Sequence, residues 1–208
     1  VSDTVLTAPR RAAIRARHAA SLVVWRRSAS GVEVLMGVRG GRHRFMPNRL
    51  VFPGGAVDRA DATAPCAAPL RPEVAALVGK AANPGLVRAL AVAAARELEE
   101  ETGLSLGDPP ALDRLDYLCR AVTPPVQPIR FNARFFAVAA EHVTGTLAGS
   151  GELEALAWHE VAEALSHDLV NAQRITLEEL TAFLALSEPQ RRARRSTPVF
   201  RNLALRTE

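Results

Sequence analysis

Aliphatic and β-branched residues crowd two stretches near the start of the chain, 21–26 and 32–39, and Ser28-Ala29-Ser30-Gly31 between them supplies turn chemistry. That pattern predicts a β-hairpin. Glycine and arginine then dominate up to position 55, which predicts a loop around a short strand at 49–52. From 58 to about 84 the chain is rich in Ala, Pro and Asp, with one short helix expected at 73–80. Pro84-Gly85 opens a long alanine-rich segment in which Leu86, Leu90, Val92, Ala93 and Leu98 form an apolar face, predicting a helix to Thr102. Apolar runs at 115–122, 133–140 and 153–158 read as further strands, and 160–165 and 177–186 as helices. Strands interleaved with one long and two shorter helices give an α/β sandwich with a mixed β-sheet.

Composition leaves this picture standing and narrows it. The 208 residues, 48% hydrophobic and 23% charged, suffice for one domain with insertions. Cys66 and Cys119 match no metal-ligand spacing and no disulfide framework, so a reducing, cytoplasmic setting is expected. No apolar run reaches the ~18 residues of a membrane span, so no membrane partner is expected. The start carries Arg10, Arg11, Arg15 and Arg17 without a secretory apolar region; it reads as a frayed terminus or a transit peptide. The formal charge is +4, almost all of the basic residues being arginine. That suits an anionic substrate, because arginine grips phosphate bidentately; arginine-rich usage and a basic tail explain the balance equally well. Arg191-Arg192-Ala193-Arg194-Arg195 is expected to be a mobile basic run.

Chemistry concentrates in Arg96-Glu97-Leu98-Glu99-Glu100-Glu101-Thr102-Gly103-Leu104. On a helix Glu97 and Glu101 share a face one turn apart, with Glu100 beside them. Such a run is ordinarily a solvated helix end. Here the carboxylates crowd the C-terminal turn, where the helix dipole opposes them, just before Gly103. Something positive is expected to complete the cluster, and hard Mg²⁺ or Mn²⁺ suits oxygen ligands.

At these residues the chain resembles the Nudix hydrolase family, whose signature ends in R-E-U-x-E-E-x-G-U, with U aliphatic. Arg96, Glu97, Leu98, Glu100, Glu101, Gly103 and Leu104 fill every specified position of that half. The first half, G-x5-E-x7, departs: in that frame the glycine is Ala82 and the glutamate is Arg88. The glycines that open the signature stand upstream in Phe52-Pro53-Gly54-Gly55, leaving an insertion of about 27 residues. The resemblance implies a Nudix-type α/β/α sandwich with a mixed β-sheet. It divides the chain into an N-terminal extension (1–19), a single Nudix domain (20–190, with the insertion at about 58–84) and a basic C-terminal tail (191–208).

A further family pattern, L-L-T-x-R-[SA]-x3-R-x3-G-x3-F-P-G-G, marks relatives that split coenzyme A and its thioesters. Leu35, Arg39, Arg44 and Phe52-Pro53-Gly54-Gly55 match it in register, whereas Met36, Gly37, Gly40 and Asn48 depart. The wider segment, with its long insertion, looks most like peroxisomal-type acyl-coenzyme A diphosphatases. The resemblance implies a divalent-metal-dependent pyrophosphohydrolase that cuts coenzyme A or an acyl-coenzyme A into 3′,5′-ADP and the phosphopantetheine fragment. Glu97, Glu100, Glu101 and the Gly55 carbonyl would hold the metal, and Arg96 would orient a glutamate. Glu152 is the candidate base, with Glu154 in reserve. Arg39, Arg44, Phe45 and Gly54 would meet the substrate, the arginines clamping phosphate unless they are ordinary loop residues. Phe45 or Phe131 would line an adenine or acyl pocket. Trp25, Trp158 and the other phenylalanines are read as core, and Asp58 and Asp61 as ordering the start of the insertion.

Two other readings share the acidic helix. One is a nucleotide-sugar, ADP-ribose or dinucleotide polyphosphate hydrolase; against ADP-ribose, position 120 is Arg where that branch has proline. The other is a non-catalytic Nudix module that senses a nucleotide or binds nucleic acid, favoured by Arg88 and by the 191–195 run. The intact carboxylate set argues against it, so nucleic acid is not the expected partner. A homodimer is common in the family, although no dimerisation face is legible.

Overall fold

Alternation along the central strands decides the layering. In the computed structural model, which describes residues 14–41 and 47–208, β1 (Arg17–Ser28) turns into β2 (Gly31–Arg39), and the two pair antiparallel as the turn chemistry predicts. β3 (Leu50–Val51) and β4 (Gly54–Ala56) follow, then α1 (Pro72–Gly79), α2 (Pro84–Thr102) and the short β5 (Leu104–Ser105). Next come β6 (Asp116–Val122), β7 (Phe131–Ala139), β8 (Thr144–Gly145) and β9 (Leu153–Glu160). The chain closes with α3 (Val161–Ser166), α4 (Asn171–Ala185), α5 (Glu188–Arg192), β10 (Pro198–Arg201) and β11 (Ala204–Thr207).

The main sheet runs β11-β10-β6-β7-β1-β2-β3, with β4 added to β1 and β9 to β2. β1 lies parallel to β7, and β10 parallel to β6, while the other pairs are antiparallel. The sheet is therefore mixed. Because successive strand residues point to opposite faces, Leu22, Val24, Phe136 and Val138 pack with α2. Val23, Phe135 and Ala137 face α4 on the other side. This is the α/β sandwich expected from the sequence.

Local chemistry explains α2. Asn83 caps it by accepting the Leu86 N–H at 2.9 Å, Pro84 occupies the first turn, and Gly103 ends it with φ 72°. Ala91, Ala93 and Ala94 are fully buried along it, so small side chains let the helix lie close on the sheet.

Several expectations are corrected. α4 begins at Asn171, not 177, because its first turns bury the polar Gln173 and Thr176 where a periodic reading looks for apolar residues. The 191–195 run is not a loose tail: Arg191 donates to the Phe183, Leu184 and Leu186 carbonyls, and Arg194 binds Glu179 and the Tyr117 carbonyl. Beyond it, β10 and β11 extend the sheet, and residues 17–19, placed in the extension, pair with Phe131–Ala133 in register. Trp25 and Trp158 are half-buried, not core, with the Arg26 guanidinium 4.2 Å above the Trp158 ring. Among the described residues no helix is long and apolar enough to cross a membrane.

Candidate active site

The last turns of α2 press against β4, and the two glycines there make that approach possible. The Gly54 N–H donates to Glu101 Oε2 at 2.7 Å. A Cβ on Gly55 would sit 2.6 Å from Glu97 Oε2, so only glycine leaves room for that carboxylate. Glu97 and Glu101 thus face the Phe-Pro-Gly-Gly turn together, as their one-turn spacing requires.

Glu101 is 1% exposed, and its Oε1 has no hydrogen-bond partner. The nearest positive group is Arg39, whose Nη2 lies 4.0 Å away while donating to the Gly54 carbonyl at 3.3 Å. Burial pushes the Glu101 carboxyl up to about 8, against the pull of the Gly54 N–H and Arg39. Glu97 is also raised, chiefly by burial and further by the charges of Glu100 and Glu152, although Arg96 opposes the shift.

Arg96 is the hub of the cluster. Its Nε and Nη2 reach Asp61 Oδ1 and Oδ2 at 3.0 and 3.2 Å, and Nη2 also donates to the Ala56 carbonyl. Its Nη1 donates at 2.9 Å to both Glu97 Oε1 and Glu100 Oε2. The hydrogen bonds to Asp61 raise its already high pKa further. It is no mere surface i,i+4 partner.

The structure does not gather all of the expected residues. Glu100 is 57% exposed and shares the Arg96 Nη1 with Glu97. The charge of Glu152 reaches both Glu97 and Glu101, and its carbonyl accepts the Gly40 N–H beside Arg39. Glu154 pairs with Val38 on β9. Arg44 and Phe45 lie outside the described residues. Arg88, in the frame of the family glutamate, points into the insertion and donates to the Ala62 and Ala64 carbonyls.

Asp61 is the residue that sequence reading undervalued. It is 1% exposed, accepts the Asp58 N–H at 2.7 Å as a turn-ordering aspartate would, and also locks Arg96. Its only sequence signal was an acidic residue inside an Ala-rich run.

Among the described residues, no three His, Cys, Asp or Glu side chains are assembled to hold a metal ion. The chemistry of the site still fits a hard divalent cation. A buried and a partly buried carboxylate share one helix face, one buried oxygen has no hydrogen bond, and a glycine turn leaves a backbone carbonyl approachable. Two carboxylates destabilised by burial are relieved when a cation joins them.

The family model described as the NUDIX domain matches residues 78–180, from the end of α1 into α4. Over that segment the chain is similar to Nudix domains. Among solved structures, the NUDIX hydrolase from Alicyclobacillus acidocaldarius is 29% identical with a TM-score of 0.64, over 82% of this chain and 93% of that one. The MutT NUDIX hydrolase from Burkholderia pseudomallei shares the fold at 21% identity and a TM-score of 0.53, over 80% and 98% of the two chains. So does the NUDIX domain of Shewanella oneidensis NrtR, solved with ADP ribose, at 15% identity and 0.53 over 82% and 90%. No curated protein gave a significant match. The NUDIX-domain match and the likeness to the Alicyclobacillus hydrolase support a pyrophosphohydrolase.

Proposed function

We propose that this protein is a Nudix hydrolase that splits the diphosphate linkage of coenzyme A or an acyl-coenzyme A. Water adds to one phosphorus, the P–O–P bridge breaks, and 3′,5′-ADP and (acyl-)phosphopantetheine leave. The observation that carries the reading is the buried Glu101 oxygen without a hydrogen bond, 4.0 Å from Arg39, which lines a cavity. It supports a site where cation, phosphate and arginine meet, and Arg39 holds the position of the coenzyme A pattern.

Glu97, Glu101 and the Gly55 carbonyl would hold Mg²⁺ or Mn²⁺, with Glu100 joining them on turning from Arg96. A divalent ion held there would supply charge neutralisation on the phosphates and activation of a water. Arg96 fixes the Glu97 carboxylate in place. Arg39, and Arg44 with it, would grip phosphate oxygens, and Gly54 keeps the Arg39 fork close to the metal face. Glu152 is the group assigned to accept the proton of the attacking water, with Glu154 in reserve.

The test is product analysis with coenzyme A, acetyl-coenzyme A, ADP-ribose, a dinucleotide polyphosphate and a nucleotide-sugar, each with Mg²⁺, Mn²⁺ or EDTA. Release of 3′,5′-ADP from the coenzyme A compounds, abolished by EDTA and by Glu97→Gln or Glu101→Gln, is the expected result. Metal-dependent cleavage of another substrate instead would keep the acidic helix and discard the coenzyme A assignment. No hydrolysis of any of them would favour a nucleotide-sensing module.

A further inference from the structure

Behind Arg39 and Gly54 opens a cavity of about 480 Å³, between the β1, β6 and β7 face of the sheet, the first turn of α4 and the C-terminal hairpin. Its walls carry the rings of Phe52, Phe131, Phe135 and Phe200, and Phe52 and Phe135 meet edge to face with centroids 6.4 Å apart. Among the described residues lining it, Arg39 is the only charged one. One polar group stands out inside. Gln173, from the first turn of α4, is 7% exposed, and its Oε1 has no hydrogen-bond partner. A buried amide oxygen left in that state calls for a donor.

Flat aromatic walls with one buried carboxamide oxygen that lacks a hydrogen bond, leading away from a phosphate-binding mouth, match a nucleobase. We propose that this cavity holds the adenine ring of the substrate and that Gln173 is its specificity-determining residue. The Gln173 carbonyl accepts from the exocyclic amino group at N6, and its NH₂ donates to N7, the pairing by which glutamine reads adenine bidentately. Hypoxanthine presents acceptors at both places, which leaves the Gln173 oxygen facing another oxygen. The uncharged interior keeps any 3′-phosphate outside, near Arg39. An acyl-pantetheine arm is the competing occupant. It is a flexible chain and does not use the flat walls.

This inference rests on the diphosphatase reading for the position of the phosphates, and its test needs no hydrolysis. Calorimetric titration of the full chain with AMP and with IMP should show AMP bound about 5- to 150-fold more tightly. Gln173→Met, close in length but apolar, should remove the preference. Gln173→Leu, which likewise lacks the amide oxygen, should do the same, and it carries the test if the first variant does not fold. Equal affinity for AMP and IMP, binding of neither, or an unchanged preference in the folded variants would overturn the proposal. So would competition of 4′-phosphopantetheine with AMP in a Gln173→Met protein that binds AMP as the wild type does. An AMP preference that disappears with Gln173, in a protein that leaves coenzyme A uncut, would keep the base site and remove the proposed substrate.

Discussion

The Arg96 guanidinium lies in a two-point clasp with the Asp61 carboxylate, Nε to Oδ1 at 3.0 Å and Nη2 to Oδ2 at 3.2 Å. Through it the segment between β4 and α2 takes part in the active site, since the same guanidinium donates to Glu97 and Glu100. Asp61→Ala leaves a guanidinium short of its fully buried counter-ion and should cost about 2–3 kcal/mol of stability. Arg96→Lys should fold better than Asp61→Ala yet lose activity, because an ammonium cannot span Asp61 and both glutamates at once. Urea denaturation alongside steady-state kinetics separates the two effects; equal behaviour of Arg96→Lys and wild type would reduce the clasp to a surface pair.

The two glycines of the turn should fail differently. At Gly55 an added methyl meets the end of the Glu97 side chain, which can swing aside, so Gly55→Ala should stay folded while hydrolysis drops at least about tenfold. At Gly54 the methyl would lie 2.6 Å from both the Ala20 carbonyl oxygen and Ser21 Cα, backbone atoms that cannot yield. Gly54→Ala should therefore lower the melting temperature first. Thermal scans of both variants, read beside their activity, check the contrast.

Glu101 ties metal binding to pH. Burial holds its carboxyl at about 8, far above the ordinary 4.5, so the metal-free fold keeps a proton that the unfolded chain releases. The stabilisation from this group is complete below 4.5 and is lost as pH rises through about 8. Binding a cation requires the carboxylate, so affinity should climb with pH until about 8 and each binding event should expel protons below it. Calorimetry of Mg²⁺ or Mn²⁺ binding in two buffers of different ionisation heat measures those protons. Glu101→Gln should release fewer and should flatten the pH dependence of metal-free stability.

The C-terminal hairpin is structural. Val199 is 4% exposed, β10 pairs with β6, and Glu208 binds Arg120 through Nε at 2.9 Å and through Nη2. Removing residues 196–208 should expose the β6 edge and cause association, visible by light scattering, because an unpaired strand edge recruits others. The same truncation takes away Phe200 and Leu203 from the cavity wall. Full-length solubility after truncation would show that the hairpin is dispensable.

The acidic helix was legible because its information is local: the Asn83 cap, Pro84, the alanine face and Gly103 all sit within one element. Glu97 and Glu101 were legible for the same reason, as one-turn spacing fixes which side chains share a face. Asp61 was harder to read because its partner lies 35 positions away, and nothing in its neighbourhood encodes that contact. Arg88 was read as a missing carboxylate, whereas its geometry ties the insertion to α2. β10 and β11 escaped notice for an opposite reason: flanking arginines suggested solvent, yet those side chains are spent on the Phe183, Leu184 and Leu186 carbonyls and on Glu179. Gln173 hid because the helix was expected to start at 177, which left it in a polar connecting segment.

The ladder between β1 and β7 runs from Arg17 opposite Phe131 to Trp25 opposite Ala139, joining positions about 114 residues apart. A ribosome adding roughly 5–20 residues per second needs on the order of 6–20 s to travel that distance. During that interval the hairpin with β2 can close, but the other edge of β1, carrying Leu22, Val23 and Val24, has no partner. The strand at the centre of the finished sheet is thus among the first made and among the last satisfied. Until β7 is made, that open edge is where pairing with another chain is expected.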